Sequence, residues 1–126
     1  MNIYIAHAKK SEFQKELYEP IRSSSLNNEH TFVLPHEISD QSFDSKAYFK
    51  NEANLSIAEV SNSATGLGIE LGWANAYELP IICVYKKDSK LSGSLKRISK
   101  YFVEYSDSNE LIFGIEKILK QIEDKD

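Results

Sequence analysis

Short apolar runs alternate with amphipathic stretches along the whole chain, the arrangement of a parallel sheet covered by helices. Ile3-Tyr-Ile-Ala6 predicts a first strand. The following stretch predicts a helix opened by Ser11, with Gln14 placed to close a capping box and Phe13, Leu17 and Ile21 along one stripe. Pro20 is expected to bend or shorten that helix. Ser23 to His30 reads as a loop, Thr31-Phe-Val-Leu34 as a second strand, and Pro35-His36-Glu37 as its exit. Ile38 to Phe43 is too polar and irregular for an element, after which Asp44 or Ser42 caps a helix reaching about Ala53. Leu55-Ser-Ile-Ala-Glu-Val60 predicts strand three. A helix then runs through Trp73 and Tyr77. Pro80-Ile-Ile-Cys-Val-Tyr85, the most apolar run, predicts a central strand. Leu95 to Ile98 reads as a short helix and Tyr101-Phe-Val-Glu-Tyr105 as strand five. Leu111, Ile115, Leu119 and Ile122 mark a last amphipathic helix capped near Asp107 or Ser108. The sum is an α/β fold of three layers, a doubly wound, five-stranded, mainly parallel sheet of the flavodoxin or Rossmann-like kind. Its ligand site belongs at the carboxyl ends of the strands, near the switch in strand order.

Length and composition leave room for one such domain over residues 1–126: 41% of the residues are hydrophobic and 27% charged. A net charge of −4 argues against binding polymeric nucleic acid. Backbone donors can still hold a small anion. The single cysteine, Cys83, lies in an apolar run and reads as a buried structural thiol. The N-terminal apolar run is too short for a signal peptide and no window approaches a membrane span, so the expectation is a cytoplasmic protein without membrane association.

Strand ends and helix starts bring His7, His36, Glu37, Glu59, Asn62, Ser63, Thr65 and Glu70 to one rim. Three of the five glycines sit beside Glu70, in Ser63-Ala-Thr-Gly-Leu-Gly-Ile-Glu-Leu-Gly-Trp-Ala74. Gly66 and Gly68 there would open room for a ligand. Gly72 would serve helix-to-sheet contact, and the four-residue spacing of Gly68, Gly72 and Ala76 allows a packing role for the whole set. Glu70, set among Ile69, Leu71 and Trp73 in the first turns of the switch-point helix, is poised as a nucleophile or a base. Asp40 and Asp44 lie in a connection that can fold over the same rim, and Asp44 doubles as a helix cap. No His spacing suits a metal, and neither a metal nor another cofactor is expected. Walker and dinucleotide glycine motifs are absent, as are a flavodoxin phosphate loop and the acidic pair of receiver domains.

Ala53-Asn-Leu-Ser-Ile-Ala-Glu-Val60, then Gly66-Leu-Gly-Ile-Glu-Leu-Gly-Trp-Ala74, then Leu79-Pro-Ile-Ile-Cys-Val-Tyr85 resembles the nucleoside 2-deoxyribosyltransferase family, including its branch of 2′-deoxynucleoside 5′-monophosphate N-glycosidases. The match covers roughly a third of the chain. The resemblance implies cleavage or transfer at the N-glycosidic bond of a nucleoside or its 5′-monophosphate. The family's nucleophile falls on Glu70. Its second acid comes from the segment before strand three, where Asp44 is the nearest candidate and Lys46 occupies the expected column. Substrate contacts are implied for Tyr4, His7, Lys10, Glu59, Asn62, Ser63, Thr65, Gly66 and Gly68. Lys10 would supply a positive charge where the monophosphate branch has an arginine. Ala64 stands where relatives carry aspartate or serine, with Ser63 or Thr65 as substitutes.

The partners implied are a small nucleoside or nucleotide and further copies of the chain in a dimer or larger homo-oligomer, with Trp73 and Tyr77 as interface or core aromatics. Two other readings stand beside the enzyme. One is a non-catalytic nucleotide-binding module, motivated by Ala64 and the altered first loop, Ala6-His7-Ala8-Lys9-Lys10. The other is an NAD-cleaving glycohydrolase like those of Toll/interleukin-receptor folds, suggested by the opening IYIAHAKK.

Overall fold

A computed structural model describes residues 1–9, 12–39 and 42–125. Five strands, β1 (Asn2–His7), β2 (Thr31–Val33), β3 (Leu55–Glu59), β4 (Ile81–Lys86) and β5 (Tyr101–Tyr105), form one sheet in the order β2-β1-β3-β4-β5. Every pairing is parallel. The chain steps from β1 to one side and returns to the other for β3, so the switch point lies between β1 and β3. Their register brings His7 level with Glu59 at the carboxyl edge.

Alternation along the strands feeds two cores. Ile3, Ile5, Leu55, Ile57, Ile82 and Val84 face one layer, with Ile21 and, from the last helix, Leu111 and Ile115. Tyr4, Ala6, Ala58, Ile81 and Cys83 face the other, with Tyr48, Phe49, Leu67, Leu71 and Ala74. Each large aliphatic or aromatic side chain so buried contributes about 1.5–3 kcal/mol. The Cys83 thiol, inside this second layer, is pushed up to about 11 by burial and is chemically quiet.

β4 is an inner strand, but the middle position belongs to β3, contrary to the ranking by hydropathy. β3 is buried at all five positions although it contains Ser56 and Glu59. Both are masked from a hydropathy count because their polar atoms are satisfied internally: Ser56 Oγ donates to the Tyr4 carbonyl at 3.2 Å, and Glu59 has the partners described below.

The first helix opens as a π turn, Gln14–Tyr18, and continues as α1 (Glu19–Ser23) with Pro20 in its first turn. Pro20 has no N–H to offer, and the turn ahead of it widens, with the Glu19 N–H bonding the Gln14 carbonyl five residues back. Ser11 lies outside the described residues. Gln14 does not close a capping box; its Nε2 donates to the His36 carbonyl at 2.8 Å. The stretch Ser23 to His30 is not all loop, because α2 (Leu26–Glu29) makes one turn there and buries Leu26. One apolar residue among polar ones shows no helical period.

α3 (Ser45–Asn51) ends before Ala53 and is capped by Asp44, whose side chain accepts from Ala47 N–H at 3.1 Å. α4 (Thr65–Ala76) packs on the sheet through Leu67, Leu71 and Ala74. Gly72 is not its contact residue. All three of Gly66, Gly68 and Gly72 are exposed, and a Cβ built at any of them would meet nothing within 4 Å. The chain leaves α4 through Glu78, at φ 59°. α5 (Leu95–Ile98) precedes β5. α6 (Ser108–Asp124) is capped by Asp107, which accepts from Glu110 N–H at 2.8 Å. Close approach occurs at Gly114, where a Cβ would collide with Val103 Cγ1.

Candidate active site

At the carboxyl ends of β1 and β3, where strand order switches, a cavity of about 560 Å³ opens between the start of α4, the exit of β1 and the residues leading into α3. Gly66, Ile69, Glu70 and Trp73 border it from α4, Tyr4, His7, Ala8 and Lys9 from the β1 side, and Ser42, Phe43 and Ser45 from the third wall. Pro35 and His36 close it beyond β2.

Glu70 is half-buried, and the Tyr4 hydroxyl donates to its Oε2 at 2.5 Å. Tyr4 is 1% exposed. Burial, and then the negative charge and hydrogen bond of Glu70, hold the phenol far above its usual range, while a hydrogen bond from Ser45 acts against them. The phenol therefore stays a donor, and the carboxylate is aimed by a short charge-assisted bond. Ser45 sits first in the helix that Asp44 caps, so the cap fixes the group that meets Tyr4. Phe43, Tyr48 and Phe49 pack around the Tyr4 ring at 5.8, 6.2 and 5.0 Å between centroids.

α4 begins without a side-chain cap, because Ala64 stands at the N-cap in an extended conformation. Its first-turn N–H groups and the open Gly66 face the region where a ligand would lie.

Opposite Glu70, His7 stacks on Phe13 at 4.3 Å, and His36 meets His7 edge-on at 5.7 Å. His7 is 7% exposed, and its pKa is lowered mainly by burial, with the positive charges of His36 and Lys9 adding to that. Its Nε2 is 2.6 Å from the Tyr18 hydroxyl and its Nδ1 is 3.0 Å from the Ala8 carbonyl. The Tyr18 hydroxyl also accepts the His36 N–H at 3.1 Å. Tyr18 is pushed up to about 12, first by burial. The buried Nδ1 of His36 has no hydrogen-bond partner among the described residues.

No protein-family model matches this sequence, and no curated protein matches it. Solved structures do. A CMP N-glycosidase of Clostridium botulinum, BcmB, superposes on 92% of this chain and 99% of its own at a TM-score of 0.66, with 16% sequence identity. The two chains share one fold. It is the three-layer α/β architecture expected from the sequence.

Within that fold the residues singled out from the sequence divide. Tyr4, His7, Gly66 and Glu70 meet at the cavity. Asn62, Ser63 and Gly68 border a second hollow of about 330 Å³ on the other side of the start of α4, sharing Ala64 and Leu67 with the first. Thr65 is exposed at the head of α4 and lines neither. Asp44 is exposed, with Oδ1 used in the cap, and is not in the cavity wall although its neighbours Phe43 and Ser45 are. Glu59 is 5% exposed. It points away from the Glu70 cavity and accepts from Ser61 N–H at 2.7 Å, Ser61 Oγ at 3.0 Å and the Tyr105 hydroxyl. Glu37 pairs with Arg22 through two contacts of 2.8 and 2.9 Å, which hold its carboxyl below the usual range. Lys10 and Asp40 lie outside the described residues.

Tyr18, Phe43 and Ser45 were not singled out from the sequence as site residues. Phe43, a lone aromatic in a polar stretch, is the signal the sequence carried. Among the described residues no group of three or more His, Cys, Asp and Glu side chains is placed to hold a metal ion. No helix among them is long and apolar enough to cross a membrane. A larger hollow of about 710 Å³ lies between edge strand β5 and α6, away from the switch point.

Proposed function

We propose that this chain is an N-glycosidase of the deoxyribosyltransferase-like kind, acting on a nucleoside or its 5′-monophosphate with Glu70 as the nucleophile. One observation carries the reading: a carboxylate held by a buried phenol at 2.5 Å, on the wall of an open cavity at the switch point. The structural likeness to a CMP N-glycosidase supports it.

The chemistry follows from that geometry. With Oε2 fixed by Tyr4, the other carboxylate oxygen is left to face C1′ of the sugar. As the C1′–N bond breaks, its electron pair leaves with the base and C1′ gains oxocarbenium character, which the carboxylate stabilises and then traps as an ester. The base nitrogen takes up a proton. Water, or the nitrogen of a second base, then attacks C1′, loses a proton and frees Glu70, giving hydrolysis or transfer. Proton transfer to the leaving base is the task of a second acid, worth about 10²–10⁴-fold. Asp44 is the sequence-based candidate, through the oxygen its cap does not use. His36, on the cavity wall with an Nδ1 that has no partner among the described residues, is the candidate the geometry adds.

A panel of nucleosides, 5′-monophosphates and NAD, with and without an acceptor base, tests the reading by chromatography of the released base. Release from a nucleoside or monophosphate, lost in Glu70→Ala, is expected. Nicotinamide release alone points to the NAD-cleaving reading. The displacement of Asp44 from the cavity wall favours one alternative, a nucleotide-binding module without chemistry, which tight calorimetric binding without cleavage would establish. A homo-oligomer with Trp73 or Tyr77 in its interface is part of the proposal and is checked by light scattering.

A further inference from the structure

The Ala8 carbonyl can only accept a hydrogen bond, so the proton of His7 sits on Nδ1. Nε2 is then the lone-pair side of the ring and takes the Tyr18 proton. The Tyr18 oxygen in turn accepts from His36 N–H. The chain of donors therefore runs one way, from His36 through Tyr18 and His7 to Ala8.

Its geometry depends on the π turn. Gln14 and Tyr18 bound that turn, and both reach the same residue: Gln14 Nε2 donates to the His36 carbonyl while Tyr18 accepts the His36 N–H. Both peptide groups of His36 are tied to one turn of helix. The same hydroxyl, through His7, holds the exit of β1. His36 and Ala8 belong to two walls of the Glu70 cavity.

We propose that Tyr18 is a positioning residue: its hydroxyl ties the Nε2 of His7, whose tautomer the Ala8 carbonyl sets, to the His36 main chain, setting the separation of two walls of the Glu70 cavity for a nucleoside or nucleotide. The hydrogen-bond chain stands by itself, whereas its consequence for a ligand rests on the function proposed above. The imidazole of His7 has no capacity left for a ligand, whereas the Nδ1 of His36 has no partner among the described residues.

The test uses the full chain carrying isotope-labelled histidine. A proton–nitrogen correlation spectrum near neutral pH should show His7 as a single neutral Nδ1–H tautomer. An Nε2–H form, or fast averaging of the two, overturns the proposal, and this measurement needs no variant. Tyr18→Phe keeps the ring packed on Phe13 and His7, at 5.1 and 5.2 Å in the wild type. It should shift the His7 Nε2 resonance while the proton stays on Nδ1, move the His36 amide resonance and weaken CMP binding about tenfold through lost preorganisation. An unchanged His7 spectrum, or unchanged CMP affinity in a folded variant, overturns the positioning role. A wild type that binds CMP and related nucleotides without cleaving them removes the glycosidase reading alone. A wild type that binds none of them removes both.

Discussion

Tyr4→Phe removes one oxygen and leaves the ring in place among Phe43, Tyr48 and Phe49. Two groups lose a partner. Ser45 can turn its hydroxyl elsewhere, but Glu70 loses the donor 2.5 Å from Oε2. A hydrogen bond to a charged group contributes about 1.5–3 kcal/mol. Glu70 is half-buried, so water replaces part of that in the resting protein and the stability loss should fall near 1 kcal/mol. During reaction the ligand excludes that water, and the aim of the carboxylate matters more. At 1.36 kcal/mol per decade, the same bond corresponds to a loss of about 10- to 150-fold in kcat. Steady-state kinetics on the best substrate of the panel, with urea unfolding alongside, separates the two effects. A folded Tyr4→Phe protein with wild-type kcat would refute the idea that Tyr4 orients the nucleophile. So would a variant whose stability falls by far more than this with no change in turnover, since Tyr4 would then serve the core alone.

Other consequences are independent of catalysis. Gly114→Ala gains about 1 kcal/mol of helix propensity but forces Val103, 7% exposed and stiff at χ1, to yield; a net loss of about 1 kcal/mol in urea unfolding is expected, and a gain contradicts the close approach seen there. Glu78→Gly relieves a left-handed residue after α4 and should raise stability by about 0.5–1 kcal/mol, read as a higher denaturation midpoint at unchanged slope. Acidification should destabilise the fold. Burial lowers both His7 and His30, and the N-terminal ammonium adds to the effect at His30. Their folded values lie below 6.5, so the unfolded chain takes up protons first. The stability they contribute is therefore present above 6.5 and is lost as pH falls through the folded values. Midpoints that rise on acidification from neutral pH contradict this.

The strands and the long helices were legible because burial on one or two faces writes a clear period into Ile3–Ala6, Ile81–Tyr85 and Leu111–Ile122. What escaped depended on tertiary contacts. α2 rests on Leu26 alone, and β3 outranks β4 at the centre because Ser56 and Glu59 find internal partners. Gly72 looked like a packing residue by spacing, yet spacing cannot tell which side of α4 meets the sheet; Leu67, Leu71 and Ala74 decide that. Glu70 was singled out from its motif and Tyr4 as a substrate contact, but the hydrogen bond between them was not legible, since 66 residues separate the two. Asn62 and Ser63 follow β3 at the expected level of the rim but border the hollow beyond α4, a distinction that the order of residues along the chain does not carry.

The claim that matters most is that Glu70 attacks C1′. The panel substrate that releases its base fastest, remade with fluorine at the sugar 2′ position, slows both steps and should let the ester accumulate. Mass spectrometry of the intact chain should then show an adduct of one sugar moiety, mapped by digestion to the peptide containing Glu70 and missing from Glu70→Gln. No adduct on a chain that turns over the parent substrate, or an adduct on another residue, would contradict the account.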